Sequence, residues 1–315
     1  MLDTLTQGDP AFADDVLTGL SQPQKTVPCR WLYDERGSVL FEEITLLPEY
    51  YPTRTEAAIL EACAADVASA AGPGATVVEY GAGASVKTRL LLDAMQDVHC
   101  YVPIDVSAEF LAESAARLEA DYAGLQVVPV VSDFLSPIDL PAESEGPGPA
   151  VGFFPGSTVG NLTDEEIADF FERARRDLGD GASFVLGADL KKSADRLIPA
   201  YDDAAGVTAA FNLNLLARIN RELGGTFDLT RFIHEARWNE ARSRVEMHLV
   251  SQGTQTVRVC DAEFRFEDGE TIHTENSRKF ARGELSALAV RRGWETTEVW
   301  MDDDGLFSVM MLKAA

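Results

Sequence analysis

The chain has 315 residues, 46% hydrophobic and 25% charged, a soluble globular composition with apolar material for about two domains. Its 27 Lys and Arg against 52 Asp and Glu leave a net charge of −25, which disfavours nucleic-acid and anionic-membrane partners. No apolar run reaches the roughly 20 residues of a membrane helix, and the acidic opening MLDTLTQGDPAFADD lacks a basic-then-apolar secretion signal, so the cytoplasm is expected.

The first 54 residues read as irregular helix, with Phe12, Val16 and Leu20 at helical spacing and then WLYDERGSVLFEEI. In LPEYYPTR two prolines flank Tyr50 and Tyr51, which predicts a constrained turn, with a new helix beginning at Thr55. That helix, EAAILEACAADVASAA, stops at Gly72. From there apolar strands alternate with amphipathic helices: strand TVVEY, helix VKTRLLLDAMQ, strand CYVPIDV, helix SAEFLAESAARLEADY and strand LQVVPVV. After the loop PAESEGPGPA come strand VGFFPGS, helix DEEIADFFERARRDLG and strand SFVLGADL. Such alternation predicts a parallel sheet covered on both faces. Residues 192–225 then read as helix, and residues 244–280 as two hairpins, RVEMHLVSQGTQTVRV and AEFRFEDGETIHT. The last stretch is helix ELSALAVRRG followed by the strand–turn–strand WETTEVWMDDDGLFSVMMLKA, an antiparallel hairpin at one sheet edge. The expected fold is α/β. A doubly wound Rossmann-like domain takes 55–191 and 280–315, and a smaller α+β domain takes 1–54 and 192–279.

In open parallel sheets ligands bind beyond the carboxyl ends of the strands, where strand order reverses. The first strand ends in Glu79-Tyr80-Gly81-Ala82-Gly83-Ala84-Ser85. A dinucleotide fingerprint needs glycine at 86, where Val86 stands, so a pyrophosphate site is poorly supported. Glu-x-Gly-x-Gly is instead similar to the nucleoside loop of S-adenosylmethionine-dependent methyltransferases. The second strand ends at Asp105, suited to ribose hydroxyls, and the third at Asp133-Phe134, suited to adenine. Asp also caps helices, but Ser107 is the better cap and leaves Asp105 free. Asn161 lies in a glycine-rich turn after the fourth strand, before a helix capped by Thr163 and Glu166; such an Asn also serves purely structural turns.

Cys29, Cys63, Cys100 and Cys260 form no CxxC, and His99, His234, His248 and His273 form no HExxH or HxH. No metal site is expected from this spacing.

The segments LPEYYPTRTE, ExGxGxSxKTRLLLDAM, GSTVGNLT, AYDDAAGVTAAFN and TENSRKF, in this order, resemble the histidine Nα-methyltransferase family of ergothioneine biosynthesis. The resemblance runs from WLYDERGSVLFEEI to the last strand. It implies a class I methyltransferase fold with a substrate domain. The activity implied is methylation of the α-amino group of L-histidine, up to the trimethylated product hercynine. It also implies S-adenosylmethionine as methyl donor, released as S-adenosylhomocysteine, with no metal. Matching motifs put the cofactor site on Gly81, Lys87, Asp105, Asp133 and Phe134, and the substrate site on Tyr50, Asn161, Tyr201, Glu275 and Ser277. Tyr33 and Gly156 match residues lining the same pocket, and Phe211 and Met247 match apolar wall positions. Read alone, Lys87 is a surface lysine and Tyr201 a core residue.

Asn161 and Tyr201 are expected to hold the α-carboxylate, with Tyr33 near the amine and Asn161 and Tyr33 closest to the chemistry. Glu275 and Ser277, two residues apart on a strand, point to one face and would read the imidazole. A monomer acting on free L-histidine is expected, with no nucleic-acid or membrane partner. The alternative is an enzyme of the same fold acting on another small amine, such as tryptophan or a modified histidine.

Overall fold

Four short runs rich in β-branched and aromatic residues, Thr76–Tyr80, Cys100–Asp105, Ala150–Phe154 and Ser183–Asp189, are buried almost throughout. Strands covered on both faces need apolar side chains at every position, which is why these runs are nearly continuous rather than alternating. A computed structural model describes residues 9–83 and 85–315, so the first eight residues of the acidic opening lie outside the described residues. The chain divides into two compact units, one holding residues up to Tyr50 with Ser193–Ser277, the other holding Tyr51–Lys192 with Arg278–Ala315.

The second unit is built on a mixed eight-stranded sheet. Its order is Trp294–Met301, Phe307–Ala314, Ser183–Asp189, Ala150–Phe154, Thr76–Tyr80, Cys100–Asp105 and Gln126–Val127, with Val130–Val131 also paired to Cys100–Asp105. Neighbours from Ser183–Asp189 to Gln126–Val127 run parallel, and the closing hairpin is antiparallel. Alternate strand residues feed two cores. Val77, Tyr101, Phe153 and Val185 pack with Ile59, Val67, Leu91 and Leu118 on one face. Val78, Val102, Phe154 and Phe184 pack with Ile167, Phe170 and Trp294 on the other. Each such buried side chain contributes about 1.5–3 kcal/mol. Strand order reverses between Thr76–Tyr80 and Ala150–Phe154, which places the binding crevice at the turns after these two strands. The expected α/β class holds. The expected strand LQVVPVV, however, is split in two, because Pro129 has no N–H to continue the ladder.

The expected turn at Tyr50-Tyr51 is also corrected: the helix spans Tyr51–Ala71. Pro52 stands in its first turn, where backbone N–H groups have no intrahelical acceptor and proline costs little.

The first unit carries helices Pro10–Leu20, Glu35–Thr45, Ala194–Tyr201 and Val207–Leu223. The single helix expected over 192–225 is therefore two, and the Asp203 carboxylate holds the start of the second through the backbone N–H of Val207 (3.0 Å) and Thr208 (2.8 Å). A four-stranded sheet has the order Lys25–Thr26, Thr271–Arg278, Arg244–Ser251, Phe232–Asn239. Lys25 and Thr26 pair in parallel with Ile272 and His273. Neither expected hairpin forms. Arg244–Ser251 pairs with Phe232–Asn239, and Gln255–Val259 pairs with Ala262–Phe266. The tight turn of the latter pair is Cys260-Asp261, with Cys260 at φ 51°, so the glycine signals at Gly253 and Gly269 marked exits from strands rather than hairpin turns. Among the described residues no helix is long and apolar enough to cross a membrane.

Candidate active site

The turn after Thr76–Tyr80 is fixed by its neighbour strand: Gly81 and Ala82 both donate their N–H to the Ile104 carbonyl, at 2.9 and 3.1 Å. Gly81 has φ 72°, a conformation that favours glycine, and a Cβ there would stand 3.9 Å from the Phe134 ring. Phe134 packs against Phe154 with ring centroids 5.2 Å apart, so this aromatic reaches the glycine turn from the third strand end. Asp133 folds back to accept the Leu135 N–H at 2.9 Å. Asp105 is not free, contrary to expectation. Its carboxylate accepts the N–H of Gly83 (3.2 Å) and of Ser107 (3.0 Å), while Ser107 makes no side-chain cap. Burial raises the Asp105 pKa, partly offset by those N–H groups. A carboxylate has about four lone-pair sites, so two backbone bonds leave it acceptor capacity.

Glu79, on the first strand just before the turn, is fully buried and accepts hydrogen bonds from the hydroxyls of Thr88 and Tyr101. Desolvation pushes its pKa up to about 8, so the group is mostly protonated at neutral pH.

Lys87 is not a surface lysine. It forms an ion pair with Glu56, which is 1% exposed on the Tyr51–Ala71 helix. Glu56 also accepts the Gly156 N–H, at 3.0 and 2.8 Å to its two oxygens. Gly156 opens the turn after Ala150–Phe154, and the next residue, Ser157, accepts the Asp189 N–H at 2.9 Å. Asp189 in turn binds the Tyr51 hydroxyl (2.7 Å), Lys192 (2.5 Å) and Lys279 (2.7 Å) in a buried network. Asn161 ends the short Thr158–Asn161 turn, and the expected capping box of Thr163 and Glu166 starts the helix beyond it. Glu56 has one signal in the sequence, a carboxylate on the otherwise apolar stripe of an alanine-rich helix.

The first unit gathers the expected aromatic positions. Tyr33 packs edge-on against Phe211 (5.4 Å) and Phe41 (5.5 Å), Phe41 contacts Tyr50 (6.3 Å), and Tyr50 contacts Tyr201 (6.0 Å). The Tyr201 hydroxyl lies 2.7 Å from Ser277 Oγ. Glu275 and Ser277 stand on Thr271–Arg278, beside the Arg244–Ser251 strand that carries the buried Met247. His234 belongs to no metal-ligand motif in the sequence. Its Nε2 lies 2.7 Å from the Tyr201 carbonyl and its Nδ1 lies 2.9 Å from the Asn212 amide nitrogen, which assigns a neutral, Nε2-protonated ring that holds Tyr201 in place. Burial lowers the His234 pKa, which favours that neutral form.

Glu246, His248 and His273 also come together, with ligand atoms within 4.8 Å of one another, a grouping the linear spacing did not disclose. The Glu246 carboxylate is held by Arg244 and Asn239, and the two imidazoles stack with centroids 4.8 Å apart and planes 18° apart. Stacked rings do not converge on one point, so the arrangement reads as a structural polar cluster.

A family model described as histidine-specific methyltransferase, SAM-dependent, matches residues 12–314. The chain belongs to this family. It is 44% identical to the histidine N-alpha-methyltransferase of Mycolicibacterium smegmatis, over 96% of this chain and 94% of that one. It is 29% identical to ergothioneine biosynthesis protein 1 of Neurospora crassa, over 90% of this chain and 33% of that one. It is 25% identical to the 4-dimethylallyltryptophan N-methyltransferase easF of Aspergillus fumigatus, over 93% of this chain and 91% of that one.

The protein is thus an S-adenosylmethionine-dependent histidine methyltransferase of this family. The residues present fit such a cofactor: a glycine turn with open space over Gly83, an acidic group with spare acceptor capacity, an aromatic beside the turn and a lysine at its far end. Gly81, Lys87, Asp105, Asp133, Phe134, Gly156 and Asn161 all lie in the second unit, and Tyr33, Tyr50, Tyr201, Phe211, Met247, Glu275 and Ser277 in the first.

Proposed function

We propose that the protein methylates the α-amino nitrogen of L-histidine, in successive transfers up to hercynine, as a step of ergothioneine biosynthesis. The 44% identity to the mycobacterial enzyme over 96% of the chain carries this reading. The second unit is read as the cofactor domain and the first as the substrate domain. The reading takes the protein as a cytoplasmic monomer without nucleic-acid or membrane partners, and it needs no metal.

When bound, S-adenosylmethionine supplies an electrophilic methyl group on a sulfonium. Gly81, Asp105, Asp133 and Phe134 hold its nucleoside, and Lys87 its carboxylate. The nucleophile is an uncharged amine, since an ammonium has no lone pair. Asn161 and Tyr201 hold the α-carboxylate, which fixes the amine's direction of attack, and alignment of the reacting atoms supplies much of the rate. Tyr33 lies near the amine and helps its proton leave through water. Tyr50 supports the substrate, and Gly156, Phe211 and Met247 shape the walls. Glu275 accepts one imidazole N–H and Ser277 satisfies the other ring nitrogen. Amino acids lacking these groups would leave buried polar atoms unpaired. The rings around Tyr33, Phe41 and Phe211 suit a cationic quaternary product.

The test is mass spectrometry of L-histidine and L-tryptophan incubated separately with enzyme and S-adenosylmethionine. Mono-, di- and trimethylhistidine are expected. Methylation of tryptophan with histidine unchanged would replace this reading by the alternative amine, for which the likeness to the dimethylallyltryptophan enzyme speaks.

A further inference from the structure

A buried carboxylate is costly unless it is paired and hydrogen-bonded. The second unit makes a dedicated slot for the one on Glu56. Gly187 lies on the Ser183–Asp189 strand, and a Cβ there would stand 1.8 Å from Glu56 Oε1, so only glycine leaves room for the acid. The Gly156 N–H points between the two carboxylate oxygens, and Lys87 closes the slot from the first turn of the Val86–Ala94 helix. A single side chain therefore ties the residue expected to meet the cofactor carboxylate to the turn that leads into Asn161. An ammonium has three donors, and Lys87, 14% exposed, has donor capacity for a second oxyanion beyond Glu56.

We propose that Glu56 is a positioning residue: it aims the Lys87 ammonium at the amino-acid tail of the cofactor and locks the Gly156 turn at the same time. Without the carboxylate the lysine side chain swings among its rotamers and meets the tail only part of the time. The inference rests on the reading that Lys87 binds that tail.

Calorimetry on the full chain tests it, using two probes: S-adenosylhomocysteine, which has the amino-acid tail, and methylthioadenosine, which lacks it. Glu56→Gln should weaken S-adenosylhomocysteine about tenfold, the scale of one charge-assisted contact, while methylthioadenosine stays within about twofold. Lys87→Met should do the same, and Glu56→Gln should add nothing further in a Lys87→Met background. A Glu56→Gln protein that weakens both probes alike, or neither, overturns the proposal; so does a further loss in the double variant. If Lys87→Met alone leaves S-adenosylhomocysteine affinity unchanged, the cofactor role of Lys87 fails, and the proposal with it. Should Glu56→Gln not fold, Glu56→Asp carries the same comparison: its shorter arm withdraws the charge from Lys87, and again only the tailed probe should weaken.

Discussion

The Tyr201 hydroxyl and Ser277 Oγ are 2.7 Å apart across 76 positions of sequence, and both side chains are buried. Each hydroxyl has one proton, so the direction of this bond sets which oxygen can donate to a ligand. Tyr201→Phe and Ser277→Ala should each raise the KM for histidine, and the double variant should fall short of the product of the two effects. The expected coupling is about 1 kcal/mol, or roughly fivefold. Strict additivity in a double-mutant cycle would show that the two groups act separately on the substrate.

Glu275→Ala, alone or with Met247→Val, should lower turnover of histidine and shift selection toward tryptophan. Removing a charged acceptor from one ring N–H costs histidine about 1.5–3 kcal/mol, or roughly 10- to 150-fold. The volume released favours a larger apolar ring. Specificity constants for both amino acids give the ratio, and an unchanged ratio would remove Glu275 as the reader of the imidazole.

Asp105→Ala should abolish most cofactor binding, because it removes a charged acceptor and also frees the Gly83 N–H that the carboxylate now holds. Asp105→Asn retains an acceptor for that N–H and should lose less. Each lost charge-assisted bond is worth about 1.5–3 kcal/mol. Calorimetric titration of both variants decides it: equal losses would mean that the Gly83 contact contributes nothing.

Tyr80→Phe should stabilise the fold. The Tyr80 ring packs among Phe154, Phe170 and Phe184, and its buried hydroxyl has no hydrogen-bond partner among the described residues. A buried unsatisfied group costs about 1–3 kcal/mol. A higher denaturation midpoint at unchanged slope is expected; a lower one would mean the hydroxyl is satisfied in solution.

Glu79 should make stability fall as pH rises from 4.5 to about 8. Its pKa is raised from 4.5 to about 8 by burial, so the folded chain keeps a proton that the unfolded chain releases within that range. Its contribution is therefore full below 4.5 and is lost as pH rises through about 8. Glu79→Gln, neutral at every pH, should show a flatter Tm between pH 5 and 9 than the parent protein. Parallel profiles would mean that Glu79 is ionised in the fold.

What could be read from the sequence was what is encoded locally. The strands that enter the main sheet announce themselves by continuous β-branched runs, and the turns at Gly81 and Asn161 follow directly from them. The hairpins differ from expectation because a glycine marks a bend without naming the strand that follows it. Arg244–Ser251 pairs with Phe232–Asn239 before it, whose Arg, Trp and His residues give no clean alternation, and with the more distant Thr271–Arg278. Glu56 and His234 were hidden for a related reason. Their partners Lys87, Gly156, Tyr201 and Asn212 lie from 22 to 100 positions away, so their roles exist only after folding.

The pairing of Lys25 and Thr26 with Ile272 and His273 has a consequence for synthesis, since Ile272 follows Lys25 by 247 positions. At about 5–20 residues per second, a ribosome needs roughly 12–50 s to deliver the second strand after the first has emerged. During that interval Lys25 and Thr26 lack the strand with which they pair. The full chain's net charge of −25 opposes association between copies of it.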